Sequence, residues 1–169
     1  MDIKCALLEV HSKEQAIKIA DYVGSDEQRF AELMKLFTGP VYRVGQRAAW
    51  PVSLCIERDP NLVQPYFPGL IKQIERDDAH IAVRRNVLRL LQFVAIPKRY
   101  QGRVFDLCYK LFADVSQTVA VRVFAMTVAA DLANGDHHLM NELQLVAESH
   151  PQLATAGFQA RVRRVFGKK

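Results

Sequence analysis

One short segment of the sequence combines histidine with carboxylate side chains: Asp136, His137 and His138, followed by Glu142. Imidazole nitrogens and carboxylate oxygens are zinc ligands, so this segment is the first candidate for metal chemistry. The sequence around it supplies no third and fourth ligand at a spacing diagnostic of a metal site. A polar turn in which the Asp136 carboxylate caps the following helix explains the same residues, so we predict no metal site and no cofactor.

The three cysteines, Cys5, Cys55 and Cys108, are at least 50 residues apart, which excludes a Cys-x-x-Cys metal pair and a disulfide framework. Cys55 and Cys108 occupy apolar positions of helical patterns, so we expect small buried hydrophobic residues rather than nucleophiles. The sequence also lacks G-x-S-x-G, H-E-x-x-H and glycine-rich phosphate-binding motifs. These observations predict a protein that is not an enzyme, in a reducing compartment.

The chain has a formal net charge of +5, and its basic residues are most concentrated between residues 81 and 115, with seven against two acidic residues. Six of them make a candidate basic patch: Arg84, Arg85, Arg89, Lys98, Arg99 and Arg103. One interpretation of this patch is a contact with phosphate or with an acidic peptide. The interpretation that the pattern favours is a solvated polar flank, together with cations placed favourably near helix C-termini.

The elements that carry these residues follow an internal repeat. One apolar series has the spacing i, i+4, i+7, i+8 and i+11 of a single helix face. Its copies start at Val44, Val83 and Val121, and an earlier, shorter copy starts at Ser12. A second series, with the spacing i, i+4 and i+7, starts at Phe30, Phe67, Val104 and Leu139. The two series alternate, so the sequence predicts a pair of helices, an A helix and then a B helix, repeated four times.

The predicted units span 12–38, 40–76, 79–114 and 117–148 within a single domain, 1–169. A short helix over 3–10 precedes the repeat, and a last helix over 151–167 is expected to cap the exposed end of the fourth unit. The apolar face of this cap helix consists of Ala154, Phe158, Val162 and Val165. Its outward-pointing cations are expected to be Arg161, Arg163 and Arg164.

The stretches 44–50 and 82–91 resemble the first helix of HEAT repeats, which favours a Val-Arg-x-Ala-Ala-type core. Val121-Arg122 is a third match of this kind, and 60–66 followed by Leu70-Ile71 is similar to the second helix. The resemblance covers 12–147. It implies an all-α fold, a right-handed α-α superhelix (solenoid) of about four HEAT-like helix pairs with short N-terminal and C-terminal capping helices.

In HEAT-type superhelices the B helices usually line the concave side, which here gives a candidate concave face of Lys35, Lys72, Tyr109 and Gln144. This face also includes acidic positions, so it lacks the row of cations that a nucleic-acid duplex needs. HEAT-like DNA glycosylases use aromatic and acidic residues on this side. The single tryptophan, Trp50, lies away from the predicted B face, and packing against a neighbouring unit or against a helix kink at Pro51 is the favoured interpretation.

The resemblance implies binding of proteins, or less often of nucleic acids, along an extended surface. Together with the missing catalytic motifs it predicts a non-enzymatic protein–protein interaction module or scaffold, whose protein partner is unknown. The alternative is a nucleic-acid-binding module that uses the basic patch, and the weakest alternative is a DNA-glycosylase-like repair protein. We also expect a cytoplasmic protein with no membrane span, which can form a homodimer through the exposed ends of the solenoid.

Overall fold

A computed structural model describes residues 1–76, 81–149 and 155–167. The chain folds into two compact units, unit 1 over 1–95 and unit 2 over 96–169. The elements of unit 1 are α1 (Ile3–Glu9), α2 (Lys13–Val23), α3 (Glu27–Phe37), α4 (Tyr42–Arg58), a 3₁₀ segment (Pro60–Tyr66), α5 (Phe67–Glu75) and α6 (Ile81–Leu91). The elements of unit 2 are α7 (Lys98–Ala113), α8 (Val119–Leu132), α9 (His137–Glu148) and α10 (Ala156–Phe166).

The observed helices confirm the predicted all-helical repeat. The four A patterns correspond to α2, α4, α6 and α8, and the four B patterns to α3, α5, α7 and α9. Most of the predicted inward positions are buried in both series, as Val44 shows for an A helix and Phe67 for a B helix. In the fourth B pattern, Leu143 is buried, whereas Leu139 and Val146 are half-buried. The described part of the chain contains no strand, and none of its helices combines the length and apolar character needed to cross a membrane.

Short polar side chains fix the beginnings of several helices. The Asp26 carboxylate accepts hydrogen bonds from the backbone N–H groups of Gln28 and Arg29 at the start of α3. The Ser12 hydroxyl accepts from the N–H of Gln15 at the start of α2. Each such cap satisfies a donor that has no partner within its helix and contributes about 1 kcal/mol to stability. The caps therefore set where each apolar face begins.

The core of unit 1 is built around α4, which packs against α1, α2, α3 and α6. The N-terminal helix α1 buries Ile3 and Leu7 in this core, whereas Val10 is exposed. Polar contacts hold α1 in place as well. The Gln15 amide donates to the Ala6 carbonyl at 2.8 Å, and the Arg47 guanidinium donates to the Leu7 and Leu8 carbonyls. The end of α1 is thereby tied to both α2 and α4.

The core of unit 2 is the α7–α8 pair, and both α9 and α10 pack on α8. Phe158 of α10 is 2% exposed, and its ring stacks on Phe112 with 6.2 Å between the centroids. The Thr155 hydroxyl caps α10 by accepting from the Phe158 N–H. The described helix thus begins at Ala156, while the predicted positions Pro151 and Ala154 lie outside the described residues.

The expectation that Arg161 points outward is wrong. Its Nη1 donates to the Thr127 hydroxyl of α8 at 3.0 Å, and the side chain is half-buried. The reason is that Arg161 follows Phe158 by three positions, which places both side chains on the α8-facing side of the helix. Arg163 and Arg164 are exposed.

Candidate functional site

The first metal candidate is a helix cap in the structure. Asp136 Oδ1 accepts from the backbone N–H groups of His138 and Leu139 at 3.0 and 3.1 Å, which confirms the capping interpretation. His137 and His138 are exposed in the first turn of α9. Among the described residues, no three or more His, Cys, Asp or Glu side chains are grouped closely enough to hold a metal ion.

Two of the three cysteines lie in the core, as expected. Burial raises the pKa of Cys55 to about 11 and that of Cys108 to about 12. Their thiols are therefore protonated at neutral pH and are poor nucleophiles, because the thiolate is the reactive form. Cys5 is exposed, and the nearby Asp2 carboxylate raises the pKa of its thiol.

The candidate basic patch loses one member, because Arg84 does not lie on a solvated flank. Its side chain is only 8% exposed, and its guanidinium donates from Nε to the Ile74 carbonyl and from Nη2 to the Arg76 carbonyl, at 3.1 and 2.6 Å. The last carbonyls of a helix have no donors within that helix, so a cation in the next helix stabilises them. The Arg84 side chain therefore holds the start of α6 against the end of α5.

Unit 2 repeats this contact with Arg122, which occupies the equivalent place in the repeat. Arg122 Nε donates to the Phe112 carbonyl at 3.0 Å, ten residues earlier, as Arg84 does to Ile74. The Arg122 guanidinium also lies 4.8 Å from the centre of the Phe158 ring. The Val-Arg pair at the start of both A helices was visible in the sequence, but its structural role was missed. We call this contact the arginine latch.

In unit 1 the junction between α3 and α4 has no room for an arginine latch. Gly45 follows Val44 as Arg84 follows Val83, and a Cβ added to Gly45 would lie 2.8 Å from the Phe37 carbonyl oxygen. Real Cβ atoms tolerate such a distance only if the backbone shifts. Four residues, 38–41, connect α3 to α4, whereas five, 114–118, connect α7 to α8. At this junction the start of α4 lies so close to the Phe37 carbonyl that position 45 requires glycine.

The remaining cations of the candidate basic patch belong to different units. In unit 1, Arg85 is half-buried and Arg89 is exposed on α6. In unit 2, Lys98, Arg99 and Arg103 are exposed on the first turns of α7. The Arg99 guanidinium lies 4.8 Å from the centre of the neighbouring Tyr100 ring. That these cations form one patch stays a prediction.

The four residues of the candidate concave face are divided between the two units, and that they form one face stays a prediction. Lys35 and Lys72 are exposed on α3 and α5 of unit 1. In unit 2, Tyr109 is half-buried with its ring 6.2 Å from Phe105, and the exposed Gln144 donates to the Glu148 carboxylate at 2.9 Å. Of these four residues, Lys35 also lines one of the clefts described next.

Sequence reasoning missed a groove on unit 1 between α3 and the chain that forms the 3₁₀ segment and α5. It consists of two clefts of about 420 and 190 Å³ that share Ala31 and Tyr66. The larger cleft is lined by Ser25, Glu27, Gln28, Phe30, Ala31, Asp59, Asn61, Leu62, Pro65 and Tyr66. The smaller cleft is lined by Ala31, Met34, Lys35, Thr38, Tyr66, Gly69, Leu70 and Gln73. We call this surface the α3–α5 groove.

Tyr66 stands at the centre of the α3–α5 groove. Its ring packs edge-on against Phe30 with 5.6 Å between the centroids. Burial, with a smaller contribution from the Glu27 carboxylate, raises the pKa of Tyr66, so its hydroxyl stays protonated and neutral. The small residues Ala31 and Gly69 leave open space beside this ring. Both small residues were visible in the sequence, but they do not by themselves indicate a groove.

Trp50 lies on another part of unit 1. It is 38% exposed on α4, and its ring meets His11 edge-on at 6.1 Å. It lines neither cleft of the α3–α5 groove. The tryptophan therefore contacts the segment between α1 and α2, and this arrangement does not resemble a base-binding site on the B helices.

Successive helix pairs with buried, equally spaced apolar faces define this chain as an α-helical repeat protein. The family described as HEAT repeat domain matches residues 3–169, and the chain belongs to this family. No curated protein matches the chain, and no solved structure matches it either.

Proposed function

We propose that this protein is a non-enzymatic protein–protein interaction module or scaffold, and that it binds its partner through the α3–α5 groove. The observation that carries the proposal is the groove itself, which combines an apolar floor of Phe30, Ala31 and Leu62 with a rim of amide and charged side chains. Protein-binding surfaces share this arrangement of an apolar centre and a polar rim. HEAT repeats are often used in protein interaction, which supports the same function.

Two chemical features support the binding of a protein, one against the binding of phosphate in the groove and one against nucleophilic catalysis by the buried cysteines. Glu27 and Asp59 line the larger cleft, where their negative charge disfavours a phosphate group. The buried thiols of Cys55 and Cys108 are protonated, so they are poor nucleophiles. The three free cysteines also fit our proposal of a cytoplasmic location, where thiols stay reduced.

A quantitative affinity capture tests the proposed function. The purified protein is immobilised and exposed to a lysate of its source cells, and bound proteins are compared with those captured by Ala31→Arg, which fills the centre of the groove. Ala160→Arg on α10 is the matched control, since Ala160 is also an exposed alanine on a helix. We expect a saturable partner that wild type and the control capture and Ala31→Arg does not. Failure to capture any partner, with turnover of a substrate by the purified protein, would contradict the proposal.

A second candidate function is nucleic-acid binding by unit 2. This unit contains 10 basic and 6 acidic residues, and three of its cations, Lys98, Arg99 and Arg103, are exposed within two turns of α7. Neutralisation of phosphates supplies most nonspecific affinity for nucleic acids and weakens as salt increases. Fluorescence anisotropy with duplex and single-stranded oligonucleotides at two salt concentrations tests this candidate. Absence of binding at low salt eliminates it.

A further inference from the structure

The α3–α5 groove has opposite charges at its two ends. Glu27, in the first turn of α3, lines the larger cleft, and Lys35, in the last turn, lines the smaller one. Eight residues separate them, which corresponds to about 12 Å along the helix axis. Asp59 adds a second carboxylate at the acidic end, although its Oδ1 already accepts from the Asn61 N–H.

These end charges are available to a ligand. Among the residues that the structure describes, neither Glu27 nor Lys35 forms an ion pair, and both side chains are exposed. Lys72 is exposed on α5 and adds positive charge on the same helix as Gly69. The charge of these side chains therefore changes sign along the groove, and this arrangement favours a ligand that carries both a positive and a negative charge.

The middle of the groove is small and apolar. Ala31 is exposed, Tyr66 presents part of its ring, and a Cβ added to Gly69 meets no atom within 4 Å. This space accepts an apolar or aromatic side chain, which would contact Tyr66. Aromatic side chains at the centre of an interface commonly contribute much of the binding energy.

We propose that the α3–α5 groove binds an extended peptide segment with a basic and an acidic residue four positions apart and an apolar residue midway between them. An extended chain rises about 3.3 Å per residue, so four residues span about 13 Å, which matches the distance between Glu27 and Lys35. Alternate side chains point to the same side of the peptide, so all three would face the groove. The inference rests on the proposed protein-binding function and specifies the chemistry of the partner.

Peptide binding tests the specificity directly. Two fluorescein-labelled nonapeptides carry Phe at the centre, with Lys and Glu two positions to either side in the two possible orders and Ser elsewhere. Control peptides carry Lys at both positions or Glu at both. By fluorescence anisotropy on the full chain, we expect one mixed peptide to bind about threefold or more tighter than either control, as one exposed ion pair supports. Equal binding of all four peptides, or binding of none, overturns the proposal.

A charge reversal distinguishes recognition from a structural effect. Glu27→Lys places a cation at both ends of the groove, so this variant should prefer the peptide with two Glu residues over the mixed peptide that wild type prefers. Lys18→Glu, at an exposed position of α2, is the control and should leave the preference unchanged. Retention of the wild-type preference by Glu27→Lys would contradict the assignment of Glu27.

A steric pair of variants separates the groove from the general function. Gly69→Gln fills the smaller cleft and should weaken binding of the preferred peptide at least tenfold, whereas Gly102→Gln should have no effect. Both glycines are exposed on helices with no atom within 4 Å of an added Cβ, so neither change disturbs the fold, which thermal melting verifies. If Gly69→Gln captures the same cellular partner as wild type, the groove proposal is wrong and the module function stands. If peptides bind but no cellular partner is captured, the module function fails instead.

Discussion

The α5–α6 junction of unit 1 and the α7–α8 junction of unit 2 are made in the same way, but the two units present different surfaces. Arg84 in unit 1 and Arg122 in unit 2 each donate to a carbonyl ten residues earlier. With these two arginines included, unit 1 carries 13 basic and 12 acidic residues, and unit 2 carries 10 basic and 6 acidic residues. The junctions between helices are alike because the backbone groups they satisfy are alike, whereas the outer positions are free to differ.

The α3–α5 groove is one result of this variation at the outer positions. In unit 1 the outward B-helix positions include Ala31 and Gly69, and the surface between their helices is open. In unit 2 the equivalent region carries larger side chains, such as Phe105 and Tyr109, whose rings contact each other. The shape of these two surfaces therefore depends on side-chain size at a few outer positions and not on the repeat pattern.

The largest expected effect comes from removing the aromatic side chain that joins α10 to the rest of unit 2. Phe158→Ala should lower the free energy of unfolding by about 3 to 4 kcal/mol, because a fully buried ring is replaced by a cavity. Urea unfolding followed by circular dichroism measures the change. Leu145→Ala is the control in the same unit, since Leu145 is 67% exposed and should change stability by less than about 0.5 kcal/mol. Equal stability of the two variants would mean that α10 is not part of the core of unit 2.

The arginine latches should have similar, slightly smaller effects in the two units. Arg84→Met and Arg122→Met each remove a charged donor from buried helix carbonyls, and we expect each to cost about 2 to 3 kcal/mol of stability. Arg58→Met is the control, because its ion pair with Asp21 is exposed and contributes less than about 1 kcal/mol. A loss in one unit without the corresponding loss in the other would break the equivalence of the two junctions.

Substitution by alanine should have opposite effects on stability at Gly45, in the α3–α4 junction, and at Gly102 of unit 2. Gly45→Ala brings a Cβ against the Phe37 carbonyl and should lower stability by about 1 to 2 kcal/mol, in spite of the better helix propensity of alanine. Gly102→Ala, which meets no neighbouring atom, should raise stability by about 0.5 to 1 kcal/mol. Thermal unfolding of the two variants provides the comparison, and a stabilised Gly45→Ala would disprove the close packing of α3 and α4.

The smallest effect concerns pH and is specific to the α7–α8 connection. Hydrogen bonds from Ser116 and Gln117 lower the pKa of Asp114 from 3.8 to about 2. A carboxyl group with a lowered pKa contributes stability above its unfolded-state value, and this contribution is lost as the pH falls through the folded-state value. Stability of the wild type should therefore decline between about pH 4 and pH 2, and Asp114→Asn should decline less steeply. If Asp114→Asn loses stability as steeply as the wild type in the same acid titration, the hydrogen bonds to Asp114 do not stabilise the folded state.

Much of the fold could be predicted from the sequence because the buried faces repeat at helical spacing. Residues such as Val44, Ile71 and Val121 are buried at the positions that the apolar series indicated. The cap at Asp136 was also predicted, since a short polar side chain before an apolar helix has few other roles. Ser12 was assigned to the apolar series, whereas the structure makes it the N-cap of α2. These signals are local, so one sequence was sufficient to find them.

The candidate site was harder to predict because its features depend on distances between helices. Arg84 was placed on a solvated flank by the type of its side chain, and only the position of the end of α5 shows that it is buried. The α3–α5 groove depends on how far the 3₁₀ segment lies from α3, which no residue pattern specifies. Ala31 and Gly69 were visible as small residues, but their effect required the neighbouring surface of Tyr66.

The contrast between Gly45 and the latch arginines relates the length of a connection between helices to the residue type near the start of the next helix. Where four residues connect α3 to α4, the fourth residue of the A helix is Gly45, and where five residues connect α7 to α8, the fourth residue is Arg122. A change in the length of either connector would move the start of the A helix relative to the carbonyl that its fourth residue approaches, Phe37 for Gly45 and Phe112 for Arg122. If these helix pairs are recombined into longer arrays, each connection must therefore be transferred together with the first turn of the helix that follows it.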